Sequence, residues 1–162
     1  MSAQFVVSYL VKWGLIGAAL FVIYVIFVFR SGLVYAARKP DGTLKDQIPL
    51  SGRLAMGSFL VILIGFLVCA NLLGLDGMEK DISFWTLFIL NSALYAILFT
   101  FDTFFIDAFV LGVWRPAFLK VPEEMGRESM KQHILKSIPV GLVGGVILAG
   151  LSAWISRMLC SL

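Results

Sequence analysis

Four stretches free of Asp, Glu, Lys and Arg divide the chain: Trp13 to Phe29 (17 residues), Leu54 to Leu75 (22), Ile82 to Phe101 (20) and Ser137 to Ser156 (20). At about 1.5 Å per residue, each reaches roughly 25 to 33 Å as an α-helix, which matches the hydrocarbon core of a bilayer. The 162 residues are 60% apolar and only 14% charged, with a mean hydropathy of +0.96. A core this small cannot bury that much apolar side chain, so the excess must be solvated by lipid, and a soluble globular protein is excluded. The expected fold is all-α: a polytopic membrane protein of four transmembrane helices plus a short interfacial amphipathic helix. It forms one membrane domain over 1–162, with spans near 5–29, 54–75, 82–106 and 137–157. The first span reaches back to Phe5 if Lys12 snorkels to the headgroups. No basic stretch precedes the first run and Arg30 follows it, so a retained span is expected, not a cleaved leader.

Charge sets the expected orientation. The loop 30–53 carries Arg30, Arg38, Lys39, Lys45 and Arg53, and the loop 115–136 carries Arg115, Lys120, Arg127, Lys131 and Lys136. Only Lys12, Lys80 and Arg157 fall on the other side. Cytoplasmic loops retain Lys and Arg, so both loops are expected inside and both termini outside, as in a bacterial cytoplasmic membrane. The net charge of +3 and pI near 9.0 then reflect those loops and anionic lipid; no nucleic-acid role is expected. Trp13, Trp85, Trp114 and Trp154 all lie near span ends, where the amphipathic indole ring prefers the headgroup level.

The loops differ in character. Pro40-Asp41-Gly42 and Pro49-Leu50-Ser51-Gly52 make the first turn-rich and suggest a surface connection. In the second, Glu123 and Glu124 stand as first-turn acids after Pro122. Met130, Ile134, Leu135 and Ile138 alternate with Arg127, Lys131 and Lys136. That pattern predicts an amphipathic helix over 123–138 in the inner interface, ending near Pro139.

The third span carries the polar groups. With Phe84 at its outer end, Asp102 falls about 27 Å deeper, near the inner hydrocarbon edge, and Asp107 about 34 Å deeper, among the headgroups. Asn91, Tyr95 and Asp102 form one row; Ser92, Ala96, Thr103 and Asp107 form the next, with Thr100 beside it. At α-helical spacing the two acids stand about 140° apart and make no carboxylate dyad. Polar groups facing lipid are costly, so this face is expected to look into the bundle or across a subunit contact. It serves either as a pathway in which Asp102 handles a cation or proton, or as interhelical hydrogen bonding with Arg30 and Arg53 as ion-pair partners at the inner surface.

An enzymatic variant would gather Asp102, Asp107, Glu123, Glu124 and His133 around a divalent metal and a lipid phosphate. Their spacing matches neither the Asp-rich pattern of the CDP-alcohol phosphotransferases nor the two-histidine helix of a zinc protease. One histidine excludes a bis-histidine haem anchor. Two cysteines, Cys69 and Cys160, exclude a disulfide scaffold and a cysteine metal cage, and buried free thiols are expected. No cofactor is expected. The fourth span carries Gly141, Gly145, Ala149 and Ala153 at four-residue spacing, a pattern that lets two helices approach closely within the chain or between copies. Gly14 with Ala18, and Gly57 with Gly65, are weaker echoes.

Phe101-Asp102-x4-Asp107, then Arg115-Pro116-x-Phe118, Pro122 with adjacent acids, and His133 together resemble a group of small bacterial integral membrane proteins of four helices that carry no assigned function. The resemblance covers about 35 residues. Where the group has a Pro-Gly-Thr-Glu element this chain reads Pro122-Glu123-Glu124-Met125. What the resemblance implies is a role for Asp102, Asp107, Pro116 and His133, without saying which.

The leading expectation is a small non-enzymatic membrane protein acting through helix association, as a homo-oligomer, an accessory subunit of another membrane protein or a lipid-interacting factor. The first alternative is a homo-oligomeric transporter or channel using the Asp102 face. The second is an inner-surface enzyme acting on a lipid or isoprenoid phosphate.

Overall fold

The computed structural model describes residues 1–33, 45–75, 82–121 and 127–160. It is all-helical: α1 spans Ala3–Arg30, α2 Leu50–Gly74, α3 Phe84–Thr100 continuing directly into a π-helical stretch Phe101–Trp114, and α4 Arg127–Cys160. All four, with Phe84–Trp114 taken as one helix, are long and apolar enough to cross a membrane.

Local chemistry accounts for the ends. Ser2 accepts from the Phe5 N–H and Ser83 from the Thr86 N–H, both at 3.2 Å, each capping a helix whose first donors have no partner one turn back. At the end of α1, Gly32 takes a left-handed φ of 73°, a conformation that costs glycine little. Pro49-Leu50-Ser51-Gly52, expected as a surface turn, instead opens α2. Pro49 stands just before the first helical residue, where its missing N–H costs nothing, and Gly52 is buried.

The chain runs up and down between two ends. The terminal end holds Ala3, Gly74, Phe84 and Cys160; the loop end holds Arg30, Leu50, Trp114 and Arg127. The most extensive packing is between α3 and α4, followed by α2 with α4 and α1 with α3; α1 and α2 touch less. Tyr9, Trp13, Leu67, Ala70, Leu87, Leu90, Leu94 and Ala153 form the core of the terminal half. Phe29, Ile106, Val110, Leu111 and Leu119 form that of the loop end.

Trp13 turns into the bundle, against Gly74 at the end of α2. It is 7% exposed inside the terminal-half core, with its ring where a side chain at Gly74 would stand. Lys12 lies 5.4 Å from its ring centre. Trp85, Trp114 and Trp154 are exposed at the helix ends, as the amphipathic ring requires.

The amphipathic segment expected over 123–138 is helical from Arg127 and joins the fourth span without a break, so Pro139 lies inside α4. Proline there removes the donor to the Leu135 carbonyl, and Ser137 bonds the Ile134 carbonyl at 3.0 Å in the same turn. The 34 residues of α4 reach about 51 Å at about 1.5 Å each, so its loop end overhangs a bilayer core.

The third span also runs past its expected end at 106. From Phe101 it changes to i→i+5 bonding, closed by the Arg115 N–H on the Val110 carbonyl at 2.7 Å, with Arg115 left-handed at φ 48°. Phe101, Phe105, Phe109 and Trp114 stack along this segment, successive ring centres 5.0, 5.8 and 6.3 Å apart. Pro116 then starts a 3-10 turn, Ala117–Leu119, that folds Leu119 back under the bundle at 1% exposure.

Candidate functional site

The small residues of α4 are spent inside the chain. Ala149 and Ala153 are fully buried, and a side chain at Gly145 would occupy the space of the Tyr95 ring, one at Gly141 that of Phe99. Tyr95 and Phe99 stack at 5.9 Å, and both rings abut that glycine surface. The Tyr95 hydroxyl donates to the Gly141 carbonyl at 2.9 Å, and Asn91 Nδ2 to the Ala149 carbonyl at 3.4 Å. Close approach exposes α4 main-chain acceptors to α3, and two polar residues of the expected row use them. By contrast a side chain at Gly57, Gly65 or Gly144 would meet open space.

Two clefts flank the Tyr95–Phe99 pair. The larger, about 370 Å³, opens between α3 and α4 and is lined by Ser92, Ala96, Thr100, Thr103 and Phe104 from the former and Ile138, Leu142 and Val146 from the latter. The other, about 300 Å³, lies between α2 and α4 at the loop-end half. Phe21, Phe59, Leu63, Leu98 and Leu148 wall it, and Asp102, Tyr95 and Ser137 are its polar lining. At the terminal half the same two helices are tied by the Asn71–Ser156 hydrogen bond. Its mouth faces outward past Leu60 and Val140, which are 47% and 72% exposed.

The π-helical bonding changes the relation of the two acids. In i→i+5 bonding, residues five apart come close to stacking, as i and i+4 do in an α-helix, so Asp102 and Asp107 share a side of the helix and are not held 140° apart. Both face α4. Asp102 lines the α2–α4 cleft, and Asp107 Oδ2 lies 3.8 Å from His133 Nε2. Periodicity could not have signalled this, because it presupposes the α-helical turn.

The expected inner-surface groups are only partly brought together. His133 meets Asp107, while Arg53 turns its Nε to the Ile48 carbonyl at 3.1 Å and Arg30 is exposed at the end of α1. Glu123 and Glu124 lie outside the described residues. Among the described residues no three His, Cys, Asp or Glu side chains converge as a metal site would require. Cys69 and Cys160 are free thiols, but they stand on exposed faces and not buried as expected, because an apolar span does not say which of its faces turns outward.

The terminal half contains a polar chain that sequence reasoning missed. The Tyr9 hydroxyl donates to Asn71 Oδ1 at 3.1 Å, Asn71 Nδ2 to Ser156 Oγ at 2.9 Å, and Ser156 to the Ser152 carbonyl at 2.8 Å. It ties α1, α2 and α4 across the core, with Asn71 2% and Ser156 0% exposed. The available signal was the isolated Asn71 in an otherwise apolar span. Further along the α3–α4 seam, the buried atoms Asn91 Oδ1, Ser92 Oγ and Ser152 Oγ have no hydrogen-bond partner among the described residues.

Comparison of the chain with family models, with curated proteins and with solved structures finds no match.

Proposed function

We propose that the chain is a small non-enzymatic integral membrane protein of the bacterial cytoplasmic membrane, with both termini outside, that acts as a lipid-interacting factor. It receives a lipid tail in the cleft between α2 and α4. The observation that carries this reading is the cleft itself: apolar walls, a mouth lined by exposed Leu60 and Val140, and Asp102 among its lining residues. Its volume is at the small end of ligand sites, about 300 to 1,000 Å³, and suits a chain segment better than a bulky solute. The orientation rests on the ten basic residues of the two long loops.

Native mass spectrometry of the protein released from gentle detergent tests this. A stoichiometric lipid that survives declustering is expected; a protein that sheds all lipid while remaining folded contradicts it. The same spectrum reads the subunit number. Association with a second copy or a partner subunit would use faces left to lipid, since the glycine surface of α4 is already occupied.

A second reading has its own observation. Asn91, Ser92 and Ser152 carry buried oxygens, unpartnered among the described residues, on the same seam as Tyr95, Thr103, Asp102, Asp107 and His133. Such groups are commonly satisfied by internal water, and a hydrated seam would make a homo-oligomeric cation or proton pathway. On this reading Asp102→Asn abolishes flux in liposomes while the assembly stays intact; unchanged flux removes Asp102 from it.

A further inference from the structure

We infer that the α2–α4 cleft takes a net-anionic phospholipid of the loop-side leaflet, whose phosphate is met by Arg53 of α2 and Lys136 of α4. This rests on the lipid-receiving reading above and adds the chemistry of the head group.

Three observations converge. The first is the pair of residue rows that lead to the mouth. Leu60 and Val140 border the cleft and are exposed. Arg53 precedes Leu60 by two helical turns, with exposed Met56 between them, and Lys136 precedes Val140 by one turn, so each basic residue shares a face with a mouth residue. Both are exposed. A phosphate gains Coulombic partners there, whereas an ammonium head without a net negative charge meets like charge. The acids nearby do not offset this: Asp46 borders Arg53 in a surface pocket and Asp102 lines the cleft, and each already interacts within the protein. Arg53 donates from Nε to the Ile48 carbonyl at 3.1 Å. That uses a single donor of the guanidinium fork, whose geometry suits phosphate.

The second is depth and direction. Counted back from Gly74 and Cys160, the terminal ends of α2 and α4, Arg53 and Lys136 lie about 31 and 36 Å away, where a hydrocarbon core of about 30 Å gives way to head groups. Both helices run from the loop end to the terminal end, and helical side chains lean toward the helix N-terminus, so both cationic groups lean toward the loop-side head groups. Leu63 and Leu148 wall the cleft farther toward the terminal end. A phospholipid with its phosphate at Arg53 and Lys136 therefore lays a tail along these leucines, in the sense a loop-side leaflet lipid already has. The third is Gly144, which lines the cleft and whose missing side chain would meet nothing within 4 Å. The space is partly the product of that glycine.

The test uses the full chain, an Arg53→Gln/Lys136→Gln double variant, Gly144→Leu and Lys131→Gln, each shown folded by circular dichroism. Lys131 is an exposed lysine of α4 five residues from Lys136 and so on another face; its variant removes a charge without touching the mouth. The proteins are reconstituted in vesicles of equimolar phosphatidylglycerol and phosphatidylethanolamine with identical tails and extracted for native mass spectrometry. Roughly tenfold preference for phosphatidylglycerol is expected in the parent and in Lys131→Gln, the order of effect that two basic residues near a charged leaflet supply. In the double variant the preference should vanish while a lipid is still retained, and in Gly144→Leu retention itself should be lost. Equal retention of both heads, a preference that survives the double variant, or one that falls as far in Lys131→Gln overturns the head-group assignment while the lipid-receiving reading stands. A lipid held undiminished by Gly144→Leu lies outside the cleft, and that result, like the absence of any stoichiometric lipid, overturns both.

Discussion

The hydroxyl of Tyr95 on α3 donates to the main-chain carbonyl of Gly141 on α4 at 2.9 Å, and its ring fills the space that a side chain at Gly145 would need. One residue thus both seals the helix pair and forms the partition between the two clefts. The α3–α4 contact is a close approach held by shape and by an interhelical hydrogen bond, the means available where lipid removes the hydrophobic drive for helices to associate.

Gly145→Leu should therefore destabilise the fold by about 1 to 3 kcal/mol, the usual cost of forcing extra methylenes into a packed site. Gly65→Leu, which meets open space, should stay within about 0.5 kcal/mol of the parent. Unfolding in mixed detergent compares them directly. The cost of Gly145→Leu should fall in a Tyr95→Ala background, giving a non-additive cycle; strict additivity would mean that the two positions do not touch.

Asn71 links three helices through Tyr9 and Ser156. Single interhelical hydrogen bonds in membranes are worth about 0.6 kcal/mol on average and up to about 1.7, so Asn71→Leu, which removes two and orphans their partners, should cost about 1 to 3 kcal/mol. Tyr9→Phe should cost less, about 0.5 to 1 kcal/mol. A coupling energy near zero between the two substitutions would break the proposed chain.

Asp107 and His133 are half-buried at the loop end and 3.8 Å apart. A partly solvated pair of this kind contributes less than about 1 kcal/mol, so His133→Ala should leave global stability nearly unchanged. Its effect should be local: faster amide exchange in α4 around His133. Unchanged exchange there would show that the pair does not dock this segment.

The orientation is directly testable with reporter fusions. On the proposed topology, alkaline phosphatase fused after Leu162 should be active and a fluorescent protein at the same point dark, because ten basic residues in the long loops favour their retention inside. The reverse pattern would invert the proposed topology and place the loop-end head-group level in the outer leaflet.

The four spans were legible because each is an uninterrupted apolar run of membrane length. The pairing surface of α4 was legible because Gly141, Gly145, Ala149 and Ala153 fall on one α-helical face. The sequence left open whether that face packs within the chain or against another copy; the fit of Tyr95 and Phe99 onto the glycines assigns it to α3. The relation of Asp102 to Asp107 was misread because helical arithmetic assumes i→i+4 bonding, and the chain departs from it at Phe101. The inward turn of Trp13 was not legible, because nearness to the end of an uncharged run does not reveal that Gly74 leaves a recess for its ring. Pro139 reads as a stop in a soluble helix, yet at the mouth of a span the main chain beyond it has no better option than to continue the helix.

The most direct measurement of the central claim is photocrosslinking with a phospholipid carrying a diazirine in its acyl chain, followed by mapping of the adducts. The account predicts adducts concentrated on Phe59, Leu63 and Leu148, which wall the cleft, and their loss in Gly144→Leu. Adducts spread evenly over exposed positions such as Val7, Val11 and Ile23, with no cleft enrichment and no response to Gly144→Leu, would contradict it.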